Sequence, residues 1–200
     1  MARKTNALTA ETVERFVIDA GAIYINLDGE GERILGATRG GNTFVIEQDI
    51  KMVEIDGVRG ATKGARRVIE SNARITANLL ELTSENIMLA IAGTDATDFI
   101  DPSIAPPPIE PSHDKIRRVR NISDLDFIDS ISIVGKVSGS AENIICTIFN
   151  ALADEGFELA FEDREEGSLE ITFTAHYDPD DVETEPWSLD FPKDVSAPAV

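Results

Sequence analysis

Few residues in this chain have the types and spacing that chemistry needs. It has two histidines, His113 and His176, and one cysteine, Cys146. A lone cysteine excludes an internal disulfide and any cysteine-based zinc site. His176 falls on the polar face of an alternating segment and reads as a surface histidine. Cys146, inside Ile144-Ile145-Cys146-Thr147-Ile148, reads as a small hydrophobe. The run Asp178-Pro179-Asp180-Asp181-Val182-Glu183 offers oxygen ligands of the kind calcium takes. It lacks the glycine and the terminal glutamate of an EF-hand, so an acidic surface turn is the simpler reading. Gly36, Gly40 and Gly41 surround Thr38-Arg39 and could cradle a phosphate. They lack both the P-loop ending and the dinucleotide fingerprint spacing, which leaves a loop that needs positive φ. No Gly-x-Ser-x-Gly occurs and no Ser/His/Asp order stands out. Carboxylates abound, yet glycoside hydrolysis needs two of them ~5–9.5 Å apart in a cleft, one with a raised pKa. Nothing marks such a pair. The chain is therefore expected to have no catalytic residue, no cofactor and no metal, and not to be an enzyme.

Charge is the stronger signal. Lys and Arg number 18 against 37 Asp and Glu, a formal net charge of −19. Residues 1–120 hold 15 basic and 18 acidic residues, net −3; residues 121–200 hold 3 and 19, net −16. Such a surface repels nucleic acid, because phosphate binding depends on Lys and Arg displacing counterions. It suits solubility, or a surface along which a polyanion slides without sticking. Against this background one segment stands apart. Gly57-Val58-Arg59-Gly60-Ala61-Thr62-Lys63-Gly64-Ala65-Arg66-Arg67 carries no acid. Arg59, Lys63, Arg66 and Arg67 make it a solvated flexible loop or a docking loop for an acidic surface, such as another copy of the chain.

The elements that must carry these residues are mostly strands. At 200 residues with 42% hydrophobic residues, the chain can bury roughly 70% of its unfolded surface in one core. No apolar run approaches ~18 residues and no h-region follows the basic N-terminus, so neither a membrane anchor nor a signal peptide is expected. Residues 1–16 read as an N-terminal arm, with Thr9 capping a short helix over Ala10 to Phe16. Residues 17–190 read as one β domain and 191–200 as a C-terminal tail. Ile23, Ile25 and Leu27 alternate with polar neighbours. Two long strands are expected over 43–56 and 67–82, flanking the basic 57–67 loop. On the first, Phe44, Ile46, Ile50 and Met52 share a face; on the second, Ile69, Ala73, Ile75, Ala77 and Leu79 do. A helix of about three turns follows over 83–93, capped by Thr83 and stopped by Gly93. Pro102, Pro106, Pro107, Pro108 and Pro111 make 94–120 a surface excursion that no sheet accommodates. Strands over 130–137 and 143–149 precede a hairpin of 157–162 with 169–177, whose Phe157, Leu159 and Phe161 should face the core. Trp187, after Pro186, would anchor the tail or offer a carbohydrate platform.

Three stretches, in this order, resemble the major tail (tail tube) proteins of long-tailed phages and prophages of Gram-positive bacteria. The first is Val17-Ile18-Asp19-Ala20-Gly21-Ala22-Ile23-Tyr24-Ile25 followed by Leu35-Gly36-Ala37-Thr38-Arg39-Gly40-Gly41-Asn42-Thr43-Phe44. The second is Ile75-Thr76-Ala77-Asn78-Leu79-Leu80-Glu81-Leu82-Thr83. The third is Leu169-Glu170-Ile171-Thr172-Phe173-Thr174-Ala175-His176-Tyr177-Asp178, with Glu185-Pro186-Trp187 behind it. The resemblance spans roughly residues 15–190. It implies a mainly β fold, a β-sandwich or half-barrel with one flanking helix, a long β-hairpin and extended loops. It also implies hexameric rings of this chain, stacked into a tube that double-stranded DNA crosses without specific binding. The implied partners are further copies and the tape measure, tail terminator and distal tail proteins. The implied location is the virion tail, with the host cytoplasm during assembly. Glu47, Asp49, Glu54 and Glu70, on the less apolar faces of the long strands, are the candidate lumen residues. Arg59, Lys63, Arg66 and Arg67 are candidates for contact between subunits or rings. The alternative is a soluble carbohydrate- or protein-binding β domain, which needs an exposed aromatic or a calcium site; an acidic glycosidase is weaker still.

Overall fold

A computed structural model describes residues 10–99, 113–118, 120–159, 161 and 166–193. A 3-10 helix over Ala10–Arg15 stands where a short helix was expected. The strands, in chain order, are β1 (Ala22–Ile25), β2 (Arg33–Ile34), β3 (Thr43–Met52), β4 (Arg66–Leu79), β5 (Thr94–Phe99) and β6 (His113–Arg118). They continue with β7 (Ile128–Lys136), β8 (Asn143–Ala151), β9 (Phe157–Leu159), β10 (Leu169–Thr174) and β11 (Trp187–Asp190); helix α1 (Ser84–Leu89) lies between β4 and β5. One sheet runs β11-β8-β7-β1-β2 and a second runs β3-β4-β10-β9, all neighbours antiparallel.

The two sheets face each other because alternation gives each one apolar face. Ile23, Ile25, Ile131 and Ile148 come from the first; Ala73, Ile75, Ala77, Leu79, Leu169, Ile171 and Phe173 come from the second. All are buried. The Phe44 ring meets the Trp187 ring edge-on across the layers, centroids 6.4 Å apart. At one corner the sheets join: Leu152 and Thr174 exchange two backbone hydrogen bonds of 3.0 and 2.9 Å. The result is a mainly β, sandwich-like half-barrel with one helix and no closed barrel among the described residues.

Several local expectations change. Helix α1 has six residues rather than three turns. Thr83 does cap it, accepting from the Asn86 N–H at 3.1 Å. The far end stops early because the Thr94 hydroxyl reaches back to the carbonyls of Met88 and Ile91 and Gly93 takes φ +74°. The helix is held by burial of Asn86, whose Nδ2 donates to Leu35 O and Glu81 O, and of Ala90. In the 157–177 hairpin Phe161 is 88% exposed, so it does not join the core. It lies past the last β9–β10 pair, Leu159 with Leu169, where none of the described strands faces it.

The 94–120 segment is not simply an excursion. Its flanks, β5 and β6, pair antiparallel from Thr94–Arg118 to Phe99–His113; the five prolines lie outside the described residues. One carboxylate ties the base of this hairpin to the body. Asp126 accepts from Gly93 N–H (3.0 Å), Ser123 N–H (2.8 Å), the Ser123 hydroxyl and both terminal nitrogens of Arg120. Gly93 precedes β5 and Arg120 follows β6, so a single side chain fixes both ends. The Arg120 hydrogen bonds, opposed by desolvation, hold the Asp126 carboxyl well below the ordinary carboxylate range. A depressed folded-state pKa contributes stability that is full above the unfolded value of about 4 and is lost as pH falls below it. Asp126→Asn should therefore cost about 1–3 kcal/mol at neutral pH. In urea unfolding, the gap between variant and parent should close as the pH is taken below about 3.

Candidate functional site

The feature that stands out is the β3–β4 ribbon. β10 pairs with β4 only from Leu79 to Arg74. Beyond that point β3 and β4 continue alone through Asp49–Glu70, Lys51–Arg67 and Met52–Arg66, and a further bond from Val53 N–H to Ala65 O extends the ladder. The unsupported part is some six residues long, roughly 20 Å.

Register decides what each face presents. Toward the core lie Phe44 with Ile75 and Ile46 with Ala73. A register shift at Asp49/Ile50 then skips Ile69, so that Val68 is the partner of Ile50. Ile69 therefore does not belong to the regular apolar face of β4, as simple alternation predicts; a bulge carries it out of phase. Past the bulge the ribbon has no core to cover it. Ile50, Met52, Val53, Ile55, Val58, Val68 and Ile69 are each 40–58% exposed.

The outer face of the same sheet is polar and largely acidic. Thr76 and Thr172 hydroxyls meet at 3.1 Å. Glu47 stands opposite Asn72, and Asp49 directly opposite Glu70. Glu158 and Glu170 are likewise cross-strand partners. Arg74 is a counterion within this face, 3.2 Å from Glu155 and 4.0 Å from Glu47, and toward the ribbon tip Lys51 stands opposite Arg67.

Of the residues singled out in the sequence, Glu47, Asp49 and Glu70 are brought together on this outer face. Glu54 is not: β3 ends at Met52, and Glu54 belongs to the connection at the ribbon tip. Arg66 and Arg67 are not loop residues but the first two of β4, because the ladder runs further than the glycines suggested. Arg59 and Lys63 do lie in the connecting loop. Glu158 and Glu170 escaped notice as candidates. Alternation marked them as outward-facing, but only the β9–β10–β4 register shows that they share the face of Glu47 and Glu70.

The other candidates are committed locally. Arg39 pairs with Glu166 at 3.2 Å, and Gly36, Gly40 and Gly41 all have positive φ, the conformation expected there. His176 Nδ1 lies 3.2 Å from Asn150 O, and its ring meets Phe127 edge-on at 5.2 Å. Burial, then the nearby Asp190 charge, push the Cys146 thiol up, away from a nucleophilic thiolate. The 178–184 segment closes on itself: Asp180 N–H donates to Asp178 Oδ1 and the Thr184 hydroxyl to Asp181 Oδ2. Trp187 is half-buried against Phe44, and its Nε1 donates to Glu185 Oε2 at 3.2 Å, which leaves no open aromatic platform there. Among the described residues no cluster of three or more His, Cys, Asp or Glu is arranged to hold a metal.

No family model matches the sequence, and no curated protein matches it. Among solved structures the chain is similar to one in the tail of an empty gene transfer agent (GTA) particle computed with helical refinement in C6 symmetry. Identity there is 10% and the TM-score 0.40, over 86% of this chain and 96% of that one. It is also similar to one in the virion of a native GTA particle, at 9% identity and a TM-score of 0.39, over the same shares. Both are distant likenesses.

The acidic outer face carries a measurable cost. Like charges placed directly across a strand pair repel. Glu70→Lys should relieve Asp49 and raise stability by about 0.5 kcal/mol at low ionic strength. Repeating the urea titration near ~1 M salt should erase most of that gain.

Proposed function

We propose that this chain is a structural subunit of a phage-like tail, forming hexameric rings that stack into the tube crossed by double-stranded DNA. The observation that carries the reading is the ribbon. A two-stranded ribbon is marginal on its own in water, and this one exposes apolar side chains near its tip that its own body cannot cover. Such a surface is an assembly element. Strand β3 is also a ten-residue sheet edge, with one side unpaired among the described residues. Edges of that length invite pairing with another chain, and a closed ring of copies satisfies them without leaving a free end.

On this reading the acidic outer face of the β3-β4-β10-β9 sheet lines the lumen. Phosphates meeting Glu47, Asp49, Glu70, Glu158 and Glu170 find a carboxylate-rich surface whose cations, Arg74 and the Lys51–Arg67 pair, are outnumbered, so DNA passes without being held. The work is mechanical and electrostatic; no catalytic step, cofactor or metal enters it. The partners are copies of the chain and, at the tube ends and inside it, terminator, distal tail and tape measure proteins. The location is the virion tail, reached from the host cytoplasm.

Negative-stain electron microscopy of the concentrated protein, with light scattering on the same sample, should show rings or tubes. A chain that stays monomeric and is also absent from purified virions would overturn the proposal. The lumen assignment has its own test. Virions built with Glu47→Lys and Asp49→Lys should carry tails of normal length and deliver DNA slowly or not at all. Unchanged infectivity would remove those residues from the lumen.

A further inference from the structure

The β5–β6 hairpin stands apart from the rest of the fold. Neither strand belongs to the two larger sheets, and no residue of the core cluster comes from it. On β5, Asp95, Ala96 and Thr97 are exposed; on β6, Ile116 alone is partly covered. A two-stranded element that buries so little is not held in one direction by packing. It joins the body through two chain crossings, at Gly93 and at Arg120, and these lie side by side. Arg120 N–H donates to Gly93 O at 3.3 Å, and a Cβ on Gly93 would lie 2.5 Å from Arg120 O. An element attached through two adjacent points turns about one axis, and a glycine at one of them lets the backbone follow.

Two sets of polar contacts hold that axis. The Asp126 carboxylate, 8% exposed, accepts from Gly93 N–H on one crossing and from the Arg120 guanidinium on the other. The Thr94 hydroxyl, on the first residue of β5, lies 3.0 Å from Ile91 O and 3.3 Å from Met88 O. Both sets are local and neither involves core packing, so both can be broken while the sandwich stays intact. There is also room to move. A groove of about 330 Å³ lies beside the axis, lined in part by Met88, Leu89, Thr94, Leu125, Asp126 and Phe127, and Leu125 is 91% exposed. We propose that the β5–β6 hairpin is a hinged arm, latched by Asp126, that turns as one piece about Gly93 and Arg120 while the two sheets keep their packing. The chain then carries, in addition to the ribbon, a second projecting element that can be re-aimed without unfolding. The inference rests on the fold alone and stands or falls independently of the tube reading.

The test is a distance measurement by pulsed electron–electron double resonance on the full chain. Cys146→Ala removes the native thiol. Spin labels go on Ala96→Cys in the arm and Lys136→Cys in the first sheet, both exposed positions. A second pair, Lys136→Cys with Glu170→Cys, spans the two sheets and reports on the body. The parent should give one narrow arm distance. Asp126→Asn removes the charge of the latch, and Arg120→Gln removes its guanidinium. Each should raise the ratio of turned to latched arm by at least about tenfold, seen as a second or broadened arm distance with the body distance unchanged. Thr94→Val added to either should raise it further. Circular dichroism and thermal unfolding identify any variant that loses its fold. Should Asp126→Asn do so, Arg120→Gln, which leaves the Gly93 and Ser123 bonds to Asp126 in place, carries the test. An arm distance that stays single and narrow when Thr94→Val is combined with a folded latch variant would overturn the hinge. So would a body distance that broadens in step with the arm distance, which would mean general loosening. A parent whose arm distance is already broad would overturn the latch.

Discussion

The whole molecule is organised by strand β4, which lives in two environments. From Ala73 to Leu79 every second side chain is buried against Phe173, Ile171 and the facing sheet. Because alternation has period two, that burial fixes the direction of every other side chain along the strand. Glu70, Asn72, Arg74, Thr76 and Asn78 must then face outward, and their cross-strand partners on β3 and β10 with them. The acidic face is thus a geometric consequence of the core, not an independent feature. The other half of β4 leaves the core behind, and there the same alternation has nothing to bury against.

That division sets a conflict that the chain by itself does not resolve. Each exposed apolar residue at the tip forgoes burial that would contribute about 1.5–3 kcal/mol for a Val, Leu or Ile side chain. The outer face adds cross-strand carboxylate pairs, Asp49 with Glu70 and Glu158 with Glu170. A sequence selected only for the stability of the lone chain would place a polar side chain at the first kind of position and a lysine at the second. Functional surfaces are where local rules are broken in this way. The body compensates elsewhere: Asp126 gathers Gly93, Ser123 and Arg120 around one carboxylate, and Trp187 ties β11 to Phe44 across the layers.

Much of this was legible in the residues and some was not. Period-two runs such as Ile75-Thr76-Ala77-Asn78-Leu79 locate strands and their buried faces because each position's environment is dictated by one neighbour in sequence. Thr83 announced a helix start for the same local reason. Long-range pairings were hidden. Nothing in 94–99 or 113–118 says that they pair, since the prolines between them read as a break and the partner of each lies on the other side. The bulge at Ile69 was invisible because Val68 and Ile69 are both apolar and either would fit the pattern. Glu54 falls past the end of β3, and Arg66 and Arg67 open β4 rather than close the loop, because glycines mark where a turn is permitted, not where a ladder ends. The site therefore suffers more than the fold. Its residues come from four strands, and only register brings Glu158 and Glu170 beside Glu47 and Glu70.

The distribution of charge also constrains how copies could meet. The ribbon tip is the concentrated basic element of a chain with net charge −19, and residues 121–200 carry −16 of it. Tip against tip repels, and acidic surface against acidic surface repels. A contact of tip with acidic surface is head-to-tail rather than two-fold symmetric, and such a contact must either close into a ring or propagate. The net negative charge opposes any meeting of copies at long range and is screened within about a nanometre at physiological salt.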